Sequence, residues 1–523
     1  MERQSETSPL LHPTSSDSSS SSISTVGALE AGGNIVAFRS NTTLYNEFID
    51  QDNISARDML RQEASILLHR SIPVTMSYFL QFSFNFVNIL SLGHLGANEL
   101  AAAALANMTL FMFVNAPSVG LASALDTFCS TSFTASKDKT LMGFHLQRGL
   151  ISIVIHFFLV LPMLLYITPI LLALKQDAEV AQLCGKFVTM QLWGSLPWMA
   201  FECIKRFLQA QGHMKSSTYV LLAVLPLHLT NNYLLVWSPY VGIGFLGAAL
   251  ANVITFWTML IGILMYCARS DAREAWGGWT WRAATTMVPY YRLAIPSMIL
   301  VCSDWAAWEL MAIGASYLGT TTLAAQSIVI NTCSMTYQLT AGLGIAISNR
   351  VGNLLGQERA KRSRVSANIG IVLGACTGTM TSLFCVVVAG SWGRLYSSDP
   401  EVIEKVALIM PLCALFQLAD AMNCVSGGVL RSLGRQSAGA WINFPAFYII
   451  GLPLCLFLTY GSPALGVSGL WLGFSISVIL AAVGQLYICV SADYKEEVRR
   501  CLAQVSKNQQ FTAAGSQDDI VAA

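Results

Sequence analysis

Long apolar runs, each broken by charges, glycine or proline, recur along almost the whole chain. Twelve are read, over residues 70–93, 100–126, 148–174, 182–208, 216–238, 241–268, 289–316, 323–348, 366–390, 404–430, 437–460 and 465–491. About 20 apolar residues in a helix cross a hydrocarbon core about 30 Å thick, and a helix satisfies its own backbone polar groups inside lipid. The predicted fold class is therefore an all-α polytopic membrane protein, with twelve transmembrane helices in two six-helix repeats around a central cavity.

The repeat is visible in the residues. Ile72-Pro73 matches Ile295-Pro296, and Leu95-Gly96 with Leu100-Ala101-Ala102 matches Leu318-Gly319 with Leu323-Ala324-Ala325, each displaced by 223 positions. Gly120-Leu121 matches Gly342-Leu343, Leu208 to Gly212 matches Leu430 to Gly434, and Gly244 with Gly247 matches Gly466 with Gly469, displaced by 222. A nearly constant offset over five blocks indicates a duplication. Each repeat holds an even number of spans, so both halves insert in the same orientation, about an axis along the membrane normal.

Charge orients the predicted spans. Loops on the cytoplasmic side are enriched in lysine and arginine. With the N-terminus inside, only Lys175, Lys186, Arg394 and Lys405 of the 30 basic residues would fall outside. The expected organisation is a disordered cytoplasmic tail over 1–60, an N-terminal six-helix lobe over 61–275, a C-terminal six-helix lobe over 276–491 and a cytoplasmic tail over 492–523. The first tail is rich in serine between Ser15 and Ser24, and has too few large apolar residues to order a core. Within it, Glu6-Thr7-Ser8-Pro9-Leu10-Leu11 resembles an acidic dileucine sorting signal, so a vacuolar or lysosomal membrane stands beside the plasma membrane as the expected location.

Composition agrees with the membrane class: 54% of residues are hydrophobic and 11% charged, against roughly a quarter charged in soluble domains. A net charge of +1 offers nothing to nucleic acid. The 13 cysteines are scattered without CxxC spacing, which suggests neither a disulfide framework nor a metal site. No cofactor is expected. Gly242, Gly244 and Gly247 fit a dinucleotide fingerprint, but they open an apolar helix where that motif needs a preceding strand, so close helix packing is the better reading.

Ionisable side chains inside spans cost about 2.5–3.5 kcal/mol on insertion scales and point to function. Asp304 and Glu309 lie in the seventh span and Asp420 in the tenth, and the one basic residue of the seventh run, Arg292, sits at its start, twelve positions before Asp304 and too far along the helix to pair with it. Asp126 and Glu202 sit near helix ends, where snorkelling or capping accounts for them. A carboxyl held in a span can take up a proton on one side of the membrane and release it on the other, or exchange it for a cationic solute. Asp304 and Glu309 are about 140° apart around a helix, so both can face one cavity only if it is wide or the helix bends. At displacement 223 they correspond to Gln81 and Phe86, which places ion coupling in the second half. Gln326, Asn331 and Asn443, with Gln81, Asn85 and Asn232 in the first half, are candidates for a polar cavity wall.

The chain resembles the eukaryotic branch of the multidrug and toxic compound extrusion (MATE) family from about residue 60 to 490. The marks are Gly120 to Cys129, Gln209-Ala-Gln-Gly212, Ser426 to Arg431, Gly439-Ala-Trp441-Ile-Asn443, Tyr448 to Pro453 and Gly469-Leu-Trp471-Leu-Gly473. The resemblance implies an antiporter exporting small organic solutes against protons by alternating access, with Asp304, Glu309 and Asp420 matching acids tied to proton coupling and cation binding. Two departures stand out. Ser130-Thr131 replaces a glycine-glutamine pair, and Asn331 stands where some animal members carry a further acid. The competing readings keep the fold with sodium as the ion or a neutral or anionic metabolite as the solute, or, remotely, make the chain an intramembrane enzyme. Since an isolated acid pair suits protons better than sodium's several fixed oxygens, the expected partners are a small organic solute, the proton and the lipid bilayer. The chain is expected to act as a monomer.

Overall fold

The computed structural model describes residues 55–521, and every regular element in that range is helical. The dileucine-like segment and all but the end of the expected first tail lie outside the described residues. The helices are α1 (Ala56–Gly93), α2 (Asn98–Ala135), α3 (Thr140–Leu165), α4 (Ala178–Ala210), α5 (Ser216–Trp237), α6 (Phe245–Arg269), α7 (Val288–Ser316), α8 (Thr320–Gly356), α9 (Ala360–Trp392), α10 (Pro400–Ser432), α11 (Gln436–Tyr460), α12 (Val467–Ser491) and α13 (Tyr494–Val521). Helices α1 to α12 correspond one to one with the twelve apolar runs. Two boundaries differ from expectation. Helix α1 begins inside the presumed tail, and the third run is two helices, α3 and a short one over Ile167–Ala173, parted at Tyr166. Pro162, which has no N–H to donate, weakens the last turn of α3 just before that break.

Among the described residues, nine helices are long and apolar enough to cross a membrane by length and composition. Helices α1, α4 and α8 reach 38, 33 and 37 residues, but they mix polar residues into their buried faces: Glu63 and Asn88 in α1, Glu202, Lys205 and Arg206 in α4, Gln326, Asn349 and Arg350 in α8. Their neighbours shield that polarity from lipid, so a composition window misses them.

The duplication extends to the backbone. Gly244 and Gly466 precede α6 and α12 with φ of 63° and 58° and ψ of −129° and −135°, a region open to glycine alone. A Cβ on Gly247 would lie 2.1 Å from the carbonyl oxygen of Leu235, and one on Gly469 would lie 2.6 Å from the same atom of Leu458. Leu235 and Leu458 are themselves repeat mates, so the same glycine lets the same helix pair close in each half. The glycine spacing serves packing, as expected.

Four more glycines define the seam between halves. A Cβ on Gly120 of α2 would meet the Cα of Met298 in α7 at 2.4 Å, and one on Gly342 of α8 would meet the Cα of Thr75 in α1 at 2.8 Å. These two contacts are images of each other under the repeat. Further along, Gly352 abuts Ser130 and Gly356 abuts Thr134, each pair 222 positions apart. Equivalent residues touch only where a two-fold axis passes, so the pseudo-two-fold runs between α2 and α8. The pairing also accounts for the Ser130 departure: its side chain fills the space that Gly352 leaves, and its hydroxyl donates to the Asp126 carbonyl.

The end of the bundle holding this crossing carries most of the basic residues and is fastened by buried ion pairs. Glu63 of α1 accepts from Arg350 Nε at 2.8 Å and from Nη2 at 2.6 Å, and from Arg362 Nε at 2.5 Å. Asp126 of α2 takes Arg206 Nη1 at 2.5 Å and lies 3.7 Å from Arg431 Nε of α10. Glu202 pairs with Lys205 at 2.5 Å. Asp126 is 0% and Glu202 2% exposed, so neither snorkels. Both are ionic partners inside the protein, which corrects the capping reading, because their arginines and lysine come inward to them.

Candidate functional site

Helices α7, α8 and α10 enclose a cavity of about 390 Å3 in the second half, with Phe111 of α2 contributed from the first. From α7 come Asp304, Trp305, Trp308, Glu309 and Ala312. These five fall within a stripe about 140° wide at 100° per residue. Asp304 and Glu309 are its two edges, so one cavity receives both without a bend. Helix α8 presents Ser327, Ile330, Asn331, Ser334 and Tyr337, again one helical face, and α10 presents Asp420, Asn423 and Cys424. No lysine, arginine or histidine is among the lining residues.

The wall alternates acid and aromatic. Trp305 stands edge-on to Phe111 at 4.7 Å between ring centroids and to Tyr337 at 5.9 Å. Phe111 opens a π-helical turn over Phe111–Asn115 within α2. Such a turn shifts a helix face by inserting one residue and often occurs at functional positions. Behind Trp308 lie Phe416, Trp471 and Phe474 at 5.0, 5.9 and 4.7 Å, a rigid aromatic block that fixes the Trp308 ring.

An amide chain backs the acids. Asn443 of α11 donates to Asp304 Oδ1 at 2.7 Å, and Gln485 of α12 donates at 2.7 Å to both Asn443 Oδ1 and Asn423 Oδ1. One side chain thus joins the support of Asp304 to the α10 wall that carries Asp420. Just beyond Asn443, α11 contains a second π-helical stretch, Pro445–Gly451, from which Tyr448 donates to the Ser303 carbonyl at 3.0 Å. Gln485, Asn423 and Tyr448 carry the same signal as the expected amides, polarity within an apolar run, but nothing in one sequence tells which polar positions meet.

The remaining expected wall residues are placed elsewhere. Asn443 is fully buried behind Asp304. Gln326 is fully buried too, accepting from Trp471 Nε1 at 2.7 Å, and so serves the aromatic block. Gln81 donates to Glu202 at 3.2 Å, toward the ion-paired seam. Asn85 is exposed. Asn232 donates to Asn88 at 2.7 Å, and Asn88 donates to Asn252 at 2.7 Å, forming an amide clasp between helices of the first half. The cysteines are less scattered than their spacing implies: Cys333 and Cys385 lie 3.2 and 3.9 Å from Cys413, sulfur to sulfur, in the second-half core, all three free thiols.

A family model described as MatE matches the chain twice, over residues 73–234 and 296–457, the two matches displaced by the same 223 positions as the sequence repeat. An uncharacterised transporter of Schizosaccharomyces pombe is 37% identical over 421 residues, covering 80% of this chain and 78% of the relative. Human multidrug and toxin extrusion protein 1 is 30% identical over 449 residues, covering 86% and 78%. Among solved structures, the eukaryotic MATE transporter AtDTX14 superposes with a TM-score of 0.79 at 27% identity, over 85% of this chain and 99% of that one.

Proposed function

The chain belongs to the MatE family of multi-pass membrane transporters, and from that premise we propose that it is an antiporter exporting organic cations in exchange for protons. The observation that carries this reading is the cavity wall, in which three carboxyls and four aromatic rings face one space with no basic side chain among them. A cation over an aromatic face gains about 0.5–2 kcal/mol, and a carboxylate supplies the opposite charge, so a flat organic cation meets both recognition elements at once. Asp304 and Asp420 are the proposed exchange sites, with Glu309 at the far edge of the α7 stripe. A proton on them neutralises the wall and releases the solute; loss of the proton restores the site.

Alternating access supplies the transport step. The two halves rock about the axis between α2 and α8, and the basic end, placed at the cytoplasmic face by its lysines and arginines, is closed in this conformation by the Glu63 and Asp126 pairs. The lobes over 61–275 and 276–491 are the proposed moving units.

Efflux of fluorescent organic cations from proteoliposomes under an imposed pH gradient tests the reading. The intact chain should follow the pH gradient and ignore sodium, and Asp304→Asn and Asp420→Asn should each abolish pH-driven efflux with the fold intact, because an amide carries no titratable proton. Transport that persists in both variants, or that tracks sodium, refutes proton exchange at these acids.

A further inference from the structure

The residues after α12 were expected to form a plain tail, yet they form α13, separated from α12 by only two residues. Among its residues described to Gln510, the buried positions are Tyr494, Glu497, Val498, Val505 and Asn508, which at 100° per residue fall within a stripe about 100° wide. A free tail helix has no reason to bury a glutamate and an asparagine. In this fold each meets a partner, and the partners belong to different halves.

The N-terminal turns of α13 sit on the second half. Tyr494 and Val498 join the apolar cluster of α8 and α9 with Val351 and Leu355, and Glu497 pairs with Arg435, between α10 and α11. From Val505 onward the helix sits on the first half. Val505 packs with Leu141 and Phe144 of α3 and with Ala283 of the α6–α7 connection that lies against α3, Asn508 accepts from Arg148 at 3.3 Å, and Gln509 donates to Ser136 Oγ at 2.9 Å. Between the two footings lies the seam where Thr134 donates to the Asn353 carbonyl at 2.8 Å. One rigid helix therefore bridges both halves on the side where they must part.

We infer that α13 is a strap that holds the basic end closed, and that its footing on the first half must let go before the cavity can open there. The inference rests on the alternating-access reading above. A helix cannot follow two bodies that separate, so one footing yields. Over the residues described to Gln510, the second-half footing has the ion pair, the larger apolar contact and the short covalent link to α12, whereas the first-half footing has the single buried apolar side chain of Val505 with the bonds from Cys501 to Thr131, from Arg148 to Asn508 and from Gln509 to Ser136. The first-half footing is the weaker, so the strap swings with the second half. Any partner or modification that lifts residues 505–510 would then raise the transport rate, which makes the strap a control point separate from the cavity.

The test uses the full chain in lipid nanodiscs and proteoliposomes. Ser136→Cys and Gln509→Cys are introduced together and bridged by a short, reducible bis-methanethiosulfonate reagent, with each single variant as the control for native thiols such as Cys501. Hydrogen exchange is followed at the seam near Thr134 and Asn353, alongside cation efflux under a pH gradient. Bridging should slow seam exchange at least tenfold and cut efflux about tenfold, both restored by reductant, while Val505→Asp and Asn508→Ala should speed seam exchange. Residues 504–510 should exchange faster than 494–501 in the unbridged protein. Seam exchange unchanged by the bridge, or efflux at the unbridged rate in fully bridged protein, overturns the strap. If the unbridged chain shows no proton-driven efflux while bridging still slows the seam, the strap stands and the antiport reading falls.

Discussion

Two groups of carboxyls inside the bundle differ in their partners and in their exposure, the first fully buried and the second half-buried. Glu63, Asp126 and Glu202 at the basic end each touch an arginine or lysine, whereas Asp304, Glu309 and Asp420 line a cavity that no basic side chain lines. A paired acid holds its charge and ties helices together. An acid whose partner is an amide, as Asn443 is for Asp304, can lose or gain a proton without leaving an orphaned cation behind. The first group suits a clamp and the second an exchange site: the clamp acids are sealed against a cation, and the cavity acids stand half-open beside neutral neighbours.

The sharpest way to break this contrast is to remove a clamp. Glu63→Gln leaves Arg350 and Arg362 buried without their anion, which by analogy with other broken buried pairs costs about 3–5 kcal/mol, read as a fall in melting temperature in detergent or nanodiscs. Glu63 lies in the part of α1 that projects beyond the predicted span. Its burial favours the protonated form, but hydrogen bonds and charge from Arg350 and Arg362 outweigh that and hold its carboxyl below its ordinary value of 4.5. The stabilisation from a depressed carboxyl is complete above the unfolded value and is lost as pH falls through the lower native one. Wild-type stability should therefore drop on acidification below about 4.5, an increment that Glu63→Gln no longer shows. Equal stability of variant and wild type at neutral pH would mean that the pair is no clamp.

How much of the molecule was legible in its sequence follows the same division. Helices α1 to α12, the duplication and the three cavity acids are local signals, readable from apolar run length, fixed offsets and charges inside runs. The clamps between helices were not, because Glu63 and Arg350 stand 287 positions apart and one chain carries no record of which distant charges meet. The same blindness put Gln326 on the cavity wall, since an amide buried against Trp471 and an amide facing solvent look alike in sequence. It also left the segment after residue 491 as a tail: its polar composition suits a helix lying on protein as well as one lying in water.

A smaller effect probes the axis where the clamps meet. Gly352→Ala places a methyl against Ser130, whose Oγ would lie 2.1 Å from the new Cβ. Overpacking of this kind costs about 1–3 kcal/mol. Ser130→Gly, which restores the glycine of the family pattern at that position, should recover most of the loss in the double variant, as direct neighbours couple in a double-mutant cycle. Additive losses would show that the two residues do not share that space, and would leave the Ser130 departure without a packing cause.

The smallest effect sharpens the unpaired side. Asn331 is exposed on the α8 face of the cavity, so Asn331→Asp adds a fourth acid where no cation waits to pair with it. If the wall reads charge through water, the added carboxylate should attract a cation by about 1 kcal/mol per unit charge, the Coulomb energy of two charges about 4 Å apart in a high-dielectric medium. A monocation should then bind roughly fivefold tighter and a dication roughly 25-fold, because the term scales with ligand charge. Competition with a fluorescent cation in proteoliposomes at constant pH measures the two ratios, and thermal stability should stay within about 0.5 kcal/mol of the parent, as for other exposed substitutions. If both solutes tighten equally, the substitution has changed fit rather than charge. If the protein instead destabilises by several kcal/mol, the α8 face is closed to water, and an unpaired acid is no more tolerable in this cavity than anywhere else in the bundle.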